Sequence, residues 1–499
     1  MAHERTETVL SDSPTISIPS QYFSSGHRTV SPKQFDLPLV IPKPDEHRHR
    51  TLVLCFDGTG DQFDDDNSNV VNFFSTLKKD DPKLQLVYYQ AGIGTYTIPQ
   101  IARPLAAKFQ KMLDSMIGIH LDAHVMGGYE FLMQNYEAGD KICIFGFSRG
   151  AYTARALAGM IHKVGLLPRF NHEQVPFAYK MYSRGEKGRK QSRKFKETFS
   201  INVDIELLGL WDTVGSVGII PKRLPLKTHV KYIRHAIALD ERRVRFKPDL
   251  LEEQPKDQQH PELPSGAMPK AKPEPVHKKF GSESNRDLEW QHPGDGVPDA
   301  NVEEVWFAGC HRDVGGGAVP NNTRHSLARI PLRWMIRQCF LLNTGISFHR
   351  EMLKCVGMDP ATLYPHVEPR PPAQSAAGAL HKRQDSAMTQ DSRLSFWTDD
   401  FVSEEDEDRQ DALALIYDRL SKKQTCYWWF LEVLPHRSRF QQDDDTWNLG
   451  RPRHIPRLPD TPTKVHRTVK IRMEAEAEDL KTSVKYEPRS KLSNHVWVD

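Results

Sequence analysis

The segment KICIFGFSRGAYTARALAGMIHKVG, residues 141–165, runs a strand-forming stretch into Gly146-Phe147-Ser148-Arg149-Gly150 and passes at once into a helical pattern. A serine on such a strand-to-helix turn, flanked by small residues that let the backbone fold sharply, projects its oxygen above a sheet as a nucleophile. Gly146, Gly150 and Ala151 supply the small residues, and the N–H of Arg149 directly after the serine becomes a donor to a developing oxyanion. The plainer reading is a connecting loop that happens to contain serine.

A serine nucleophile needs a base, and the base needs an orienting carboxylate. In hydrolases with this turn the chain order is serine, acid, histidine. Two later strand ends offer these residues in that order: LLGLWDTVGS carries Asp212, and VWFAGCHRDVGGG carries His311. An aspartate after an apolar strand is otherwise a cap or turn former, and a lone histidine is otherwise a packing or surface residue. Asp240 and Asp313 are rival acids, and His466 in VHRTVKIRM is a rival base. Asp240, in HAIALDERR, is expected to pair with Arg242 or Arg243 at the end of an element.

The stretch FDGTGDQFDDDNSN suggests other chemistry. Phe56-Asp57-Gly58-Thr59 is similar to the Asp-x-Asp-Gly-Thr loop of haloacid-dehalogenase-type phosphatases, but Cys55 stands where that loop needs its nucleophilic aspartate. Asp61, Asp64, Asp65 and Asp66 could offer oxygen ligands to a divalent cation. They lack the glycine and distal glutamate of a helix–loop–helix calcium site, which makes a solvated acidic loop the simpler reading. An N–H from Gly58 or Thr59 would complete the oxyanion hole, whose second half comes from the loop after an early strand. No metal-ligand spacing of His, Cys and carboxylates is found, and no metal is expected.

These residues need a scaffold. Thr51–Phe56, LQLVYYQ, Lys141–Phe147, VDIELLGLW and VEEVWFA read as strands, each ending in a turn or Gly-rich loop. Residues 117–137 and the Ala151, Ala154, Leu157, Ala158, Ile161, Val164 pattern read as helices, and LARIPLRWMIRQCFLL as an amphipathic one. Strands alternating with helices predict a parallel sheet covered on both faces, with its site at the carboxyl ends of the strands. The expected organisation is a disordered arm over 1–48 and a catalytic α/β domain over 49–365 with a low-complexity insertion near 250–299. A disordered linker over 366–410 and a C-terminal segment over 411–499 that packs on the domain complete it.

Composition narrows the class further. A net charge of +3 over 499 residues does not mark a nucleic-acid binder. Six cysteines without paired spacing favour a reducing compartment over a disulfide framework. The opening MAHERTETVLSDSPTISIPS is polar throughout, and no run approaches the roughly 18 apolar residues of a membrane span. A soluble cytoplasmic protein is the resulting expectation, with transient contact to a membrane surface left open and the oligomeric state undetermined.

Together LVLCFDGTGDQ, YYQAGIGT, IFGFSRGAYTAR, GLWDTVGSVG, RHAIALDERR and WFAGCHRDVGGG resemble the α/β-hydrolase family typified by the catalytic domain of type VI secretion phospholipase effectors (Tle-type). The six blocks lie in the family's order over about residues 50–335, and NLGRPRHIP and VHRTVKIRM also resemble segments of its fungal members. The resemblance implies a Ser–Asp–His esterase or phospholipase that needs no metal or cofactor and acts on an acyl ester or lipid. Carried over by motif, Ser148 is its nucleophile, with Asp212 and His311 as partners. Two other classes stay open: a non-catalytic interaction protein that keeps the fold, and a metal-dependent phosphatase using the acidic loop.

Overall fold

A computed structural model describes residues 37–43, 49–93, 121–184, 188–214, 229–243, 246–251, 300–373, 401–421, 452–455 and 461–499. Most of the expected N-terminal arm, nearly all of the insertion near 250–299, residues 374–400 of the expected linker and the aromatic segment CYWWFLEVLP lie outside the described residues.

A short antiparallel pair joins β1 (Val40–Ile41) to a strand late in the chain, β8 (Phe348–His349). The main sheet has eight strands. In chain order these are β2 (Thr51–Phe56), β3 (Gln85–Gln90), β4 (Lys141–Phe147), β5 (Ile205–Trp211), β6 (Val230–Ala238), β7 (Asn301–Phe307), β9 (Thr463–His466) and β10 (His495–Val498). Across the sheet the order is β10-β9-β7-β6-β5-β4-β2-β3, and every pairing is parallel. The chain leaves β2 for the edge at β3 and then returns to the other side of β2 with β4. That reversal opens a crevice at the carboxyl ends of β2 and β4, where doubly wound sheets place their sites.

β2 is buried along its whole length and β5 along nearly all of it. On one face, Leu52, Leu54, Phe56, Ile142, Ile144, Leu208 and Leu210 share a core with α2 (Leu121–Asn135) and α3 (Arg149–Val164). Ala151, Ala154 and Ala158 let α3 lie close to the strands, as their spacing predicts. On the other face, Phe145 and Trp211 meet Phe73 of α1 (Asn69–Thr76) at ring-centre distances of 4.3 Å and 6.0 Å from Phe73. Helices on both faces of a parallel sheet make this an α/β-hydrolase-like fold.

Between β4 and β5 lie α4 (Val175–Ser183) and α5 (Arg189–Phe199), and after β7 come α6 (His311–Gly315), α7 (Arg329–Leu341) and α8 (Arg350–Cys355). The predicted helix over 117–137 is present as α2, its first residues lying outside the described ones.

One difference concerns the acidic run expected to be a disordered linker over 366–410. Its described end forms α9 (Glu404–Ala412), opened by Ser403, whose side chain accepts from the Asp406 amide at 3.1 Å. Glu404, Glu407, Asp408 and Asp411 of this helix are buried. They face the arginines of α7 and its approach: Arg333 meets Asp408 at 2.6 Å and Asp411 at 2.7 Å, and Arg337 meets Glu404 at 2.6 Å. Hydrophobicity averaged along the chain registers the acids but not the cations that neutralise them from another helix. The C-terminal segment likewise adds β9 and β10 to the main sheet, with α10 (Arg467–Glu474) between them in the chain.

Candidate active site

Register brings the first two chemical groups together. Phe147, the last residue of β4, pairs with Trp211, the last of β5, so Ser148 and Asp212 leave adjacent strands side by side. The Ser148 N–H still donates to the Trp211 carbonyl at 3.0 Å, and the Asp212 N–H to the Ala236 carbonyl at 2.7 Å. His311 opens α6 after β7, two strands beyond β5. The Ser148 hydroxyl donates to His311 Nε2 at 2.8 Å, and His311 Nδ1–H donates to Asp212 Oδ2 at 2.5 Å. All three residues are buried.

The backbone at both strand ends is strained. Ser148 has φ 58° with ψ −120°, and Asp212 has φ 40°, values that an L side chain rarely adopts. The serine turn is held by close backbone approach. A Cβ on Gly150 would stand 2.3 Å from the carbonyl oxygens of both Phe56 and Asp57, and one on Gly146 would stand 2.5 Å from the Gly150 oxygen. Neither contact can relax without moving β2 or the start of α3. Gly150→Ala is expected to lower unfolding stability by about 1–3 kcal/mol through this overpacking. Urea titration checks it, and a midpoint equal to the wild type's would show that the turn has room to spare.

His311 lies between two rings, Phe147 at 4.7 Å and Phe246 at 4.8 Å between centroids. Burial pushes its imidazole below the ordinary histidine value, and the bond to Asp212 only partly opposes this. The ring is therefore neutral near pH 7, with Nε2 free to accept a proton. Burial alone would raise the Asp212 carboxyl, but Arg453 and His311 reverse the effect and hold it well below the usual carboxylate range. Arg453 grips both oxygens of Asp212, at 2.5 Å and 2.9 Å. Behind Asp212, His235 accepts the Thr213 N–H at 3.1 Å while its other nitrogen donates to Glu304 at 2.8 Å. This buried pair fixes the backbone that follows the strained aspartate.

The rival residues have other partners. Asp240 accepts from the Gly309 and Arg489 amides and from the Tyr486 hydroxyl at 2.6, 2.9 and 2.8 Å. The expected pairing of Asp240 with Arg242 or Arg243 is replaced: Glu241 takes Arg243 and Asp418 takes Arg242, each at 2.8 and 2.7 Å respectively. Asp240 points instead toward the C-terminal segment. Asp313 bonds the Cys310 amide at 2.8 Å and the Tyr417 amide at 3.0 Å, and burial pushes it up to about 7. His466 caps α10 through Thr468 and stacks on Phe307 at 4.9 Å, where burial pulls it down to about 3.

In the loop after β2, Asp57 acts as a latch. It accepts from Ser68 at 2.6 Å, Tyr89 at 2.7 Å and the Gly58 amide at 2.8 Å. Gly58 was expected to offer its N–H to an oxyanion, but that donor is already taken by the neighbouring carboxylate. Among the described residues, nothing accepts from the Thr59 or Arg149 amides. Asp61 and Asp66 of the acidic loop both face Arg312, so a cation occupies the place a metal would need. Among the described residues the one carboxylate–histidine cluster at ligand spacing is His325, Glu407 and Asp411. Arg324, Arg329 and Arg333 neutralise it.

His235 and Glu241 lie within the block RHAIALDERR and Glu304 within a predicted strand, but nothing in those patterns, nor around Arg453, pointed to a role at the site. NLGRPRHIP resembled a family segment, yet nothing in its pattern pointed at Asp212.

The strained serine turn at the carboxyl edge of a parallel sheet, with histidine and aspartate from later strands, defines an α/β-hydrolase-like site. The chain matches the family described as "T6SS, Phospholipase effector Tle1-like, catalytic domain" over residues 50–338, and it belongs to that family of phospholipase catalytic domains. An uncharacterized protein of Saccharomyces cerevisiae is 28% identical over 536 aligned positions, which cover 84% of this chain and 78% of the yeast protein. Two solved structures are similar at 16% identity. One is an uncharacterized protein from Pseudomonas aeruginosa, with TM-score 0.31, covering 60% of this chain and 46% of that one. The other is the Tle1 effector bound to the VgrG spike from the type 6 secretion system, with TM-score 0.29, covering 54% and 51%. The chain thus spans about half the length of the solved structures it matches.

Proposed function

We propose that this protein is a serine carboxyl-ester hydrolase acting on a lipid ester, with Ser148 as nucleophile, His311 as base and Asp212 as the orienting acid. The observation that carries this reading is the 2.8 Å contact between Ser148 Oγ and a His311 held neutral by burial. His311 Nε2 takes the hydroxyl proton as Oγ attacks the ester carbonyl. The amides of Arg149 and Thr59 stabilise the resulting oxyanion, and donors fixed in advance at such a position lower the barrier most. His311 returns the proton to the leaving alcohol, and water then hydrolyses the acyl-serine by the same route.

Arg149 supports a substrate that also bears an anionic group, such as a phosphodiester. Its guanidinium has no ion-pair partner among the described residues, and burial pulls it down to about 10 with Asp61 only partly opposing. A half-buried cation next to the nucleophile in the chain gains from an anionic ligand. Such an ester would be drawn from a membrane surface. No helix among the described residues is long and apolar enough to cross a membrane.

A fluorophosphonate probe tests the reading. Covalent labelling is expected at Ser148, with a rate that falls on acidification as His311 gains a proton. Because the folded pKa lies below the ordinary value of about 6.5, the fall is expected below that pH. Chelators should leave the rate unchanged. Absence of labelling, where a control esterase reacts, would favour a non-catalytic protein that keeps the fold. Loss of ester hydrolysis in chelator, restored by added Mg²⁺, would favour the acidic loop.

A further inference from the structure

We infer that Arg453 is a positioning residue of the reaction, so that the C-terminal segment, beyond the matched residues 50–338, completes the catalytic site. This rests on the serine-hydrolase reading of Ser148, His311 and Asp212. The side chain is buried, and every N–H of its guanidinium is used. Nη1 donates to Asp212 Oδ1 at 2.5 Å and to the Ala238 carbonyl at 3.1 Å. Nη2 donates to Asp212 Oδ2 at 2.9 Å and also to the Phe246 carbonyl, which Nε reaches at 3.0 Å. A planar fork is thus seated on a carboxylate and two carbonyls, a geometry that lysine cannot reproduce.

The contact has two consequences for His311. Asp212 leaves its strand with a left-handed backbone and turns one carboxylate toward both His311 and Arg453, with Oδ2 accepting from each. The guanidinium fixes the angle at which that oxygen meets Nδ1. It also cancels much of the negative charge that would otherwise make His311 more basic. The charged groups acting on the imidazole are Asp212 after β5 and Arg243 and Glu241 after β6. On its own helix, Arg312 turns to Asp61 and Asp66, and Asp313 to the Cys310 and Tyr417 amides. Glu241 accepts the His311 amide at 3.2 Å and is itself paired to Arg243 at 2.8 Å. Arg453 is the cation bonded to the aspartate that His311 depends on. Phe246 links the two as well, since its carbonyl holds Arg453 and its ring stands against His311.

The test compares full-length Arg453→Gln and Arg453→Lys with wild type on a short-chain p-nitrophenyl ester across pH. Misplacing the acid should lower kcat by roughly a hundredfold in both variants with little change in KM. In Arg453→Gln, removing the cation favours the protonated Asp212–His311 pair, so the acidic limb of kcat/KM should move up by about one pH unit. In Arg453→Lys, where the charge remains and the fork is lost, the limb should stay near its wild-type position. Should the glutamine variant fail to fold, the lysine variant still decides the matter through the fall in kcat at an unmoved limb. Wild-type kcat in the lysine variant would overturn the inference. So would a glutamine variant that folds and loses activity without moving the limb, since that marks a purely structural role. Wild-type protein labelled at Ser148 keeps either failure separate from that of the hydrolase reading, and unlabelled wild type overturns both.

Discussion

Replacing Ser148 by alanine is expected to reduce kcat/KM on a short-chain ester by about a million-fold, since the proposed attacking atom is gone. His311→Gln should fall to a similar level. Asp212→Asn should lose on the order of ten-thousand-fold, because the amide cannot orient the same tautomer. KM should change little, for these groups act on a proton and a charge that develop in the transition state. Residues working as a unit are not additive, so the His311→Gln, Asp212→Asn double variant should be scarcely slower than the worse single one. His466→Gln supplies the contrast. Its ring stacks on Phe307 and caps α10, so protein that folds with this change should keep most of its activity. An inactive, folded His466→Gln beside an active His311→Gln would assign the base to the C-terminal segment instead. Circular dichroism on each variant separates lost chemistry from lost structure.

The largest loss of stability is expected from Arg333→Met. The arginine is 1% exposed, and its partners Asp408 and Asp411 are 2% and 0% exposed. It also donates to the Val356 carbonyl at 3.2 Å. A buried pair adds little over a well-packed apolar core, but removing one member leaves a charge in a place where water cannot reach it. The expected cost is about 3–5 kcal/mol at neutral pH. Asp408 and Asp411 are driven upward by burial, but the arginines more than reverse this and hold both below the usual carboxylate range. Stability tied to them is therefore complete above the unfolded aspartate value of about 3.9 and is lost as pH falls through the lower folded value. Arg333→Met has less of that stability to lose, so its deficit relative to wild type should shrink on acidification. Denaturant unfolding at several pH values reads this directly. A deficit below about 1 kcal/mol at neutral pH would mean that Arg370 and Arg329, which meet Asp408 at 2.9 Å and Asp411 at 3.3 Å, suffice without it.

Much of the site's location is written locally in the chain. The tight turn around Ser148 needs only a strand, two glycines and a helix in succession, and all of these are neighbours in sequence. Asp212 and His311 stand at apolar strand ends, and a parallel sheet gathers such ends on one edge whatever the strand order. The family blocks GLWDTVGSVG and WFAGCHRDVGGG hold that acid and that base, whereas RHAIALDERR supplied the rival Asp240 and β6 itself was not singled out as a strand.

Which residues meet was decided by the tertiary structure. The pairing of Phe147 with Trp211 places Ser148 beside Asp212, and a shifted register would separate them. His466 and His311 are both histidines near strand ends, and only packing buries one against Phe307 and bonds the other to Ser148. The acids of α9 looked unable to order because a composition average cannot match each carboxylate to an arginine on another helix. Arg453 shows the same limit most clearly. It reaches Asp212 from 241 residues away. Propensity and periodicity act between residues close in sequence, whereas a buried ion pair depends on where the finished sheet brings distant backbone together.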